Sequence, residues 1–338
     1  MKLIIYLKNQ INGGYSTIMN NCLYIIIPCY NEEEVLPITS KMFLSELNLL
    51  IKKEKISNDS KILFIDDGSS DSTWKIIKEL SLFNKHFIGI SQSRNRGHQS
   101  SLLAGLMEAL EKADITISID CDGQDDISIM ETMIDKFNEG YDIVYGVRNN
   151  RSTDSFFKRN TAKFFYKALK ILGTESIYNH ADYRLLSKRV LQELVNYNEV
   201  NLYLRGLIPL IGFKYTYVYY TRHERLSGKT HYSLGKMTDL ALNGITNLSI
   251  KPLRIVLYSG IVFSILSFIG IIWAVIDNLI GNTIAGWTSI ICIICFIGSI
   301  QLISIGIIGE YVGKIYLEVK HRPRYIISER TDDNNDNN

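Results

Sequence analysis

Lys61-Ile-Leu-Phe-Ile-Asp66-Asp67-Gly68-Ser69-Ser70-Asp71-Ser72 joins a short, nearly continuous apolar run to a cluster of carboxylates and small polar residues. Ile115-Thr-Ile-Ser-Ile-Asp120-Cys121-Asp122-Gly123-Gln124-Asp125 repeats that arrangement, and Leu23-Tyr-Ile-Ile-Ile-Pro28-Cys-Tyr30-Asn31-Glu32-Glu33-Glu34 is a third case. β-Branched runs of this length, without polar alternation, predict strands covered on both faces. Each run ends in acidic or amide side chains, so the chemistry gathers where the strands stop.

Outward from these stretches the pattern alternates. Further strands are predicted at residues 87–91, 141–145 and 215–221, and helices at 33–55, 72–83, 98–112 and 128–138. Strand–helix alternation implies a mostly parallel, doubly wound α/β sheet. Right-handed crossovers then place all strand C-terminal ends on one rim, where open α/β sheets bind ligands. Ser69 to Ser72 precede a helix and read partly as its N-terminal caps. Residues 156–213 read as helix-rich, broken at Gly173 and at a turn over 179–182. Residues 222–231 read as a basic loop containing Gly228.

The carboxylates have an expected use. On extended backbone, residues two apart point to the same side, so Asp120 and Asp122 can share one hard divalent cation. Gln124 offers a further oxygen, and Mg2+ or Mn2+ prefers oxygen donors and bridges them to phosphates. The plainer reading is a solvated acidic turn around Gly123. Tyr30 can stack on a base, and Glu32 can accept from a ribose hydroxyl or a base N–H. The plainer reading for Glu32 to Glu34 is support of a helix N-terminus through its dipole.

The chain has 338 residues and a net charge of only +2, which gives no global field for nucleic acid. Its five cysteines are odd in number and suit reduced thiols in the cytoplasm. Cys292 and Cys295 lie in an apolar stretch with no other ligand nearby. Residues 255–276 and 287–308 carry no charge at all, and about 20 such residues span a hydrocarbon core as a helix. Lys236, Lys251 and Arg254 precede the first run, and Lys314, Lys320, Arg322 and Arg324 follow the second. The loop between has no Lys or Arg, so head and tail are expected on the cytoplasmic side of the plasma membrane. Trp273 and Trp287 suit an interfacial belt. Residues 1–20 read as an extension without chemistry, with Met19 as an alternative start. The tail from Glu329 is polar and reads as disordered. The expected organisation is therefore an extension (1–20), a catalytic domain (21–232), an amphipathic membrane-surface helix (233–253), two transmembrane helices (254–309) and a cytoplasmic tail (310–338).

Taken in order, Ile-Pro-Cys-Tyr-Asn-Glu-Glu-Glu, Ile-Asp-Asp-Gly-Ser-Ser-Asp-Ser-Thr, Ser-Arg-Asn-Arg-Gly-His-Gln and Ile-Asp-Cys-Asp-Gly-Gln-Asp resemble glycosyltransferase family 2. More narrowly, the chain resembles the polyprenyl-phosphate glycosyltransferases of the dolichol-phosphate mannose synthase type. Ile308-Gly-Glu-Tyr-Val-Gly-Lys-Ile-Tyr316 and His321-Arg-Pro-Arg-Tyr325 resemble the two-span bacterial branch. The resemblance implies a Rossmann-like GT-A catalytic domain, a nucleotide-diphosphate sugar donor (UDP-sugar first), an undecaprenyl phosphate acceptor and Mg2+ or Mn2+. The product would be a lipid-linked sugar for cell-envelope glycan modification. Membrane lipid is an expected partner, nucleic acid is not, and a homo-oligomer is an open expectation.

Carried over residue by residue, Pro28, Tyr30, Glu32, Asp67 and Arg94 would hold the nucleotide. Asp120, Asp122 and Gln124 would hold the metal. Ala181-Asp182-Tyr183-Arg184-Leu185 resembles the acceptor-side motif, with Tyr183 where Phe is usual. Arg205, Arg222, Arg225 and Lys229 resemble phosphate-binding positions. The implied catalytic set is Asp122, Asp182, Arg205 and Arg225. Gly123 and Asp126 depart from the usual Asp-Leu-Gln-Asp-Pro-Pro stretch and would loosen its loop. A phosphate monoester with a second pKa of about 6 is largely dianionic at neutral pH, so the acceptor needs little help from a general base. Asp182 would position the acceptor or take a residual proton, and the arginines would screen two phosphates from each other. The plainer reading of those arginines is contact with anionic headgroups. His98 and His180 read as loop or helix-end residues. Two rivals remain open: a processive polysaccharide synthase of the same superfamily, and a catalytically idle membrane scaffold.

Overall fold

The computed structural model describes residues 21–149, 180–199, 202–222, 251–280 and 287–332. Five strands and four helices alternate first: β1 (Leu23–Cys29), α1 (Leu36–Lys52), β2 (Lys61–Asp66), α2 (Thr73–Phe83), β3 (Phe87–Gln92), α3 (His98–Ala109), β4 (Ile115–Ser118), α4 (Ile129–Asn138) and β5 (Ile143–Arg148). After the gap come β6 (His180–Ser187), α5 (Lys188–Leu194), α6 (Leu204–Leu210) and β7 (Tyr215–Tyr220), then two long helices, α7 (Lys251–Leu279) and α8 (Trp287–Val319), and β8 (Ile327–Arg330).

The eight strands form one sheet in the order β7-β5-β6-β4-β1-β2-β3-β8. β1 pairs in parallel with β2 and β4, β2 with β3, and β5 with β7. β6 is inserted antiparallel between β4 and β5. Both faces are covered, as the apolar runs require. Phe43 and Leu47 of α1, Ile77 of α2 and Met133 of α4 pack with Ile25, Ile27, Phe64 and Ile117 on one face. Leu102 and Leu106 of α3, Leu191 of α5 and Ile208 of α6 pack with Ile26, Leu63 and Ile65 on the other. Fully burying a side chain of this size stabilises by about 1.5–3 kcal/mol, so the strand cores dominate the energetics. A Cβ at Gly105 would lie 2.6 Å from side-chain atoms of Ile26 and Ile65. The missing side chain lets α3 lie close against β1 and β2, which fixes where its first residue, His98, sits.

Three expectations change here. Of the supposed turn at 179–182, residues 180–182 are instead the start of β6, whose two charged residues, Asp182 and Arg184, pair with each other inside the sheet. The tail beginning at Glu329 is not wholly free chain. It contributes to β8, antiparallel on the edge of β3, where Glu329 accepts from Trp74 Nε1 at 2.7 Å and pairs with Lys78 at 3.2 Å. The helix after Ser72 is capped by its neighbours: Asp71 accepts from the Thr73 N–H at 3.0 Å and Glu33 from the Ser72 N–H at 2.9 Å, while Ser72 makes no side-chain cap bond. Among the described residues one stretch, Phe296–Val319, is long and apolar enough to cross a membrane, and a shorter apolar piece is Leu253–Phe263. The expected surface helix at 233–253 lies almost wholly outside the described residues, as does the extension at 1–20.

Candidate active site

The parallel strands β1, β2 and β4 end on one rim, and their loops are stitched together there. The Asn31 N–H donates to Ser69 Oγ at 3.0 Å, the Glu32 N–H to Thr73 Oγ1 at 2.9 Å, and the Ser70 N–H to Asn31 Oδ1 at 2.9 Å. Tyr30 stands exposed at the end of β1 beside the half-buried Pro28 and Glu32. Asp67 is buried, with its two oxygens accepting from the Arg96 and Gly97 N–H groups, each at 2.9 Å. Burial pushes its carboxyl above the usual aspartate value, and these amide bonds offset part of that. Asp67 thus holds the loop that presents the exposed Arg94. Gly68 makes the close approach feasible, with φ +65° and an imagined Cβ only 2.6 Å from the Arg94 carbonyl carbon.

Asp120 and Asp122 follow β4. Asp122 Oδ1 accepts from the Gln124 N–H at 3.1 Å. Arg222 donates to Gln124 Oε1 and lies 3.9 Å from Asp122 Oδ2. Burial raises the Asp120 carboxyl; His98 opposes that shift, and Asp125, Asp182 and Asp122 add to it. The loop that Gly123 and Asp126 were expected to loosen is tied down. Asp125 accepts from Tyr220 OH at 2.7 Å and Arg148 Nη2 at 3.1 Å, Tyr183 OH donates to the Asp126 carbonyl at 3.1 Å, and Asp126 Oδ1 accepts from the Ser128 N–H at 3.0 Å. Gly123, at φ +67°, supplies a left-handed turn that other residues rarely adopt.

Opposite Asp120, the buried Asp182 carboxylate is the hub of the crevice. It accepts from Arg205 Nε at 3.1 Å and Nη2 at 2.8 Å, His98 Nε2 at 3.1 Å, Gln99 Nε2 at 3.2 Å, and Arg184 Nη2. Burial alone would raise its carboxyl, but Arg205, the His98 bond and Arg184 outweigh burial and hold it well below the usual carboxylate range. Burial lowers the His98 imidazole, while Asp182 and Asp120 turn the net shift upward. Arg205 is raised by Asp182 against the opposing effect of burial.

The rim therefore brings together Pro28, Tyr30, Glu32, Asp67, Arg94, Asp120, Asp122, Gln124, Asp182, Arg205 and Arg222. Arg225 and Lys229 lie outside the described residues. His98 and Gln99, read as an ordinary helix start, both reach Asp182. The available signal was a run of four polar residues, His98 to Ser101, opening a helix that turns apolar at Leu102, Leu103 and Ala104. No cluster of three or more His, Cys, Asp or Glu suited to a metal occurs among the described residues. The candidate cation ligands are two carboxylates and one amide oxygen.

The glycosyl transferase family 2 model matches residues 24–195, which include every rim residue named above except Arg205 and Arg222. The chain belongs to glycosyl transferase family 2. Residues 251–315 match the GtrB C-terminal hairpin, which places this glycosyltransferase in the GtrB-like branch. It is 51% identical to the uncharacterized glycosyltransferase YkoT of Bacillus subtilis (strain 168), over 90% of each chain. It is 39% identical to the bactoprenol glucosyl transferase of Shigella phage SfV, over 90% of this chain and 97% of that one. The prophage bactoprenol glucosyl transferase homolog of Escherichia coli (strain K12) is also 39% identical, over 90% of this chain and 97% of that one. As a family 2 glycosyltransferase, the protein joins a GT-A-like mixed sheet to at least one helix that fits a membrane span.

Proposed function

We propose that the protein moves one sugar from a nucleotide-diphosphate sugar, UDP-linked first, to undecaprenyl phosphate, with inversion at the anomeric carbon. The observation that carries this reading is the union of a carboxylate- and arginine-lined rim with a hairpin of the GtrB kind. Such a hairpin suits an acceptor that lives in the bilayer. α7 and α8 would both span, with the catalytic domain and tail in the cytoplasm, as the Lys and Arg residues flanking the hairpin favour. The antiparallel pairing of β8 with β3 supports that side assignment, because the chain leaving α8 returns to the catalytic sheet.

Tyr30, Pro28, Glu32 and Arg94 would hold the nucleotide, with Asp67 fixing the loop beneath. The donor atoms of Asp120, Asp122 and Gln124 suit Mg2+ or Mn2+. Arg222 already lies against Asp122 and Gln124, so the place favours positive charge. Asp120, Asp122 and Gln124 would hold the cation, whose charge would offset that of the leaving diphosphate. Asp182, held as an anion by its cationic neighbours, would anchor Arg205 and orient the acceptor; a group kept so far below the carboxylate range is a poor base. Arg205 and Arg222, with Arg225 and Lys229 from the basic loop, would screen the acceptor phosphate from the donor. The dianionic phosphate then attacks the anomeric carbon directly, its oxygen–carbon bond forming as the bond to the nucleoside diphosphate breaks.

Membranes bearing the protein, incubated with radiolabelled nucleotide sugars and polyprenyl phosphate, test this reading. The expected product is chloroform-soluble and carries a single sugar. A polymer would point to a processive synthase, and no product with any sugar to an idle scaffold.

A further inference from the structure

His98 opens α3 with its side chain in the crevice, 41% exposed, between the two carboxylates that face each other across the site. Its Nε2 lies 3.1 Å from Asp182 Oδ2 and 3.7 Å from Asp120 Oδ1. The first distance is a hydrogen bond; the second is a close electrostatic contact without one. The backbone that carries this ring is held on two sides. Gly97, the residue before it, has φ +88° and donates its N–H to Asp67 at 2.9 Å. Gln99, the residue after it, accepts from the Leu204 N–H at 3.1 Å and so ties α3 to the start of α6, which carries Arg205. The charged groups around the ring are Asp120 after β4, Asp182 and Arg184 from β6, and Arg205 from α6.

Resting on the functional reading above, we propose that His98 is a positioning residue that couples the donor side of the crevice to its acceptor side by holding Asp182 beside Asp120 through its Nε2 edge. Asp120 and Asp182 sit on neighbouring elements brought together by the antiparallel pairing of β4 with β6, and the Nε2 edge of His98 lies against both carboxylates. Asp182 in turn fixes both nitrogens of the Arg205 fork. A rotation of Asp182 would displace that guanidinium from the place where an incoming phosphate is received. The same imidazole therefore bears on where the acceptor lies and on how Asp120 faces the donor. An ordinary helix-end histidine would lack a carboxylate partner on another strand; this ring, though partly exposed, has one at hydrogen-bond distance. No proton transfer is assigned to it.

Two substitutions of similar bulk separate positioning from filling. His98→Gln keeps an N–H able to reach Asp182; His98→Leu keeps bulk and removes the donor. Both are made in the full-length protein and assayed with nucleotide sugar and polyprenyl phosphate, with melting temperature and uridine diphosphate binding as controls on folding. The account expects His98→Leu to lose about 100-fold in kcat, the scale of a misplaced reacting group, with KM for the nucleotide sugar nearly unchanged. His98→Gln should recover most of that loss. Equal activities for the two variants, whether both low or both near wild type, would overturn the inference, as would a rise in KM with kcat unchanged. A wild-type protein that loads no sugar onto polyprenyl phosphate overturns the functional reading and this inference with it. An active wild type with indistinguishable Leu and Gln variants overturns the inference alone.

Discussion

Arg205 forks onto both oxygens of Asp182, Nε to Oδ1 at 3.1 Å and Nη2 to Oδ2 at 2.8 Å, while Arg184 reaches Oδ1 from inside the core. A site meant to receive anions thus keeps one of its guanidiniums in fixed geometry. A bidentate pair sets direction as well as charge. Arg184 is fully buried, and its Nε and Nη1 have no hydrogen-bond partner among the described residues, so Asp182 is what makes that buried cation tolerable.

Asp182→Ala should therefore destabilise the fold by about 3–5 kcal/mol, because it strands a buried charge. Chemical denaturation of the purified protein checks this. Asp182→Asn should show a pH signature. The folded carboxyl lies well below its ordinary value of 3.8, so its stabilisation is fully present above that value and lost as pH falls through the folded value. The stability gap between wild type and Asp182→Asn should be constant near neutrality and close only in acid. A gap that closes between neutrality and weak acid would contradict the assignment.

Tyr220 and Arg148 clamp Asp125 from the ends of β7 and β5. Tyr220→Phe removes a donor to a buried carboxylate and an acceptor for Arg148. The expected cost is about 1–3 kcal/mol, with a fall in turnover because the loop bearing Asp120 and Asp122 loses its far anchor. Urea titration and initial rates on the same preparation measure both.

Gly68→Ala meets two obstacles: φ +65° and a Cβ within 2.8 Å of the backbone of Arg94 and Asn95. The strain is about 1–3 kcal/mol before any clash is relieved. Relief must move the loop held by Asp67, so weaker nucleotide binding is expected, read by calorimetry with uridine diphosphate.

Ending the chain before Tyr325 removes β8. The Ser93 N–H loses the Ile326 carbonyl at 2.9 Å, and the Gly89 N–H loses Thr331 Oγ1 at 2.9 Å. Hydrogen exchange at Gly89 and Ser93 should accelerate, while amides of β1 and β4 in the sheet centre stay protected. Uniform acceleration across the sheet would mean that β8 holds the whole domain and not its edge.

The strands β1 to β4 were legible because each is buried on both faces and therefore spelled in unbroken apolar residues. Their acidic ends were legible because parallel strands stop on a common rim. β6 was not, since Asp182 and Arg184 interrupt its apolar pattern; their mutual neutralisation is visible only once the sheet pairs them. β8 was hidden for another reason: an edge strand needs little apolar character, and Ile-Ser-Glu-Arg draws its stability from partners some 250 positions earlier, such as Glu329 with Lys78. The carboxylates of Asp120 and Asp122 could be read from spacing, but the partners of Asp182 could not. His98, Gln99 and Arg205 come from two different helices and meet only in the fold.

The most direct test of the central claim is transfer of radiolabelled sugar from UDP-sugars to undecaprenyl phosphate by wild type and by Asp122→Ala in membranes. The account predicts a chloroform-soluble, single-sugar lipid with wild type and none with the variant, while both keep the same melting temperature. Unchanged product with Asp122→Ala, or no lipid-linked sugar from wild type with any nucleotide sugar, would contradict it.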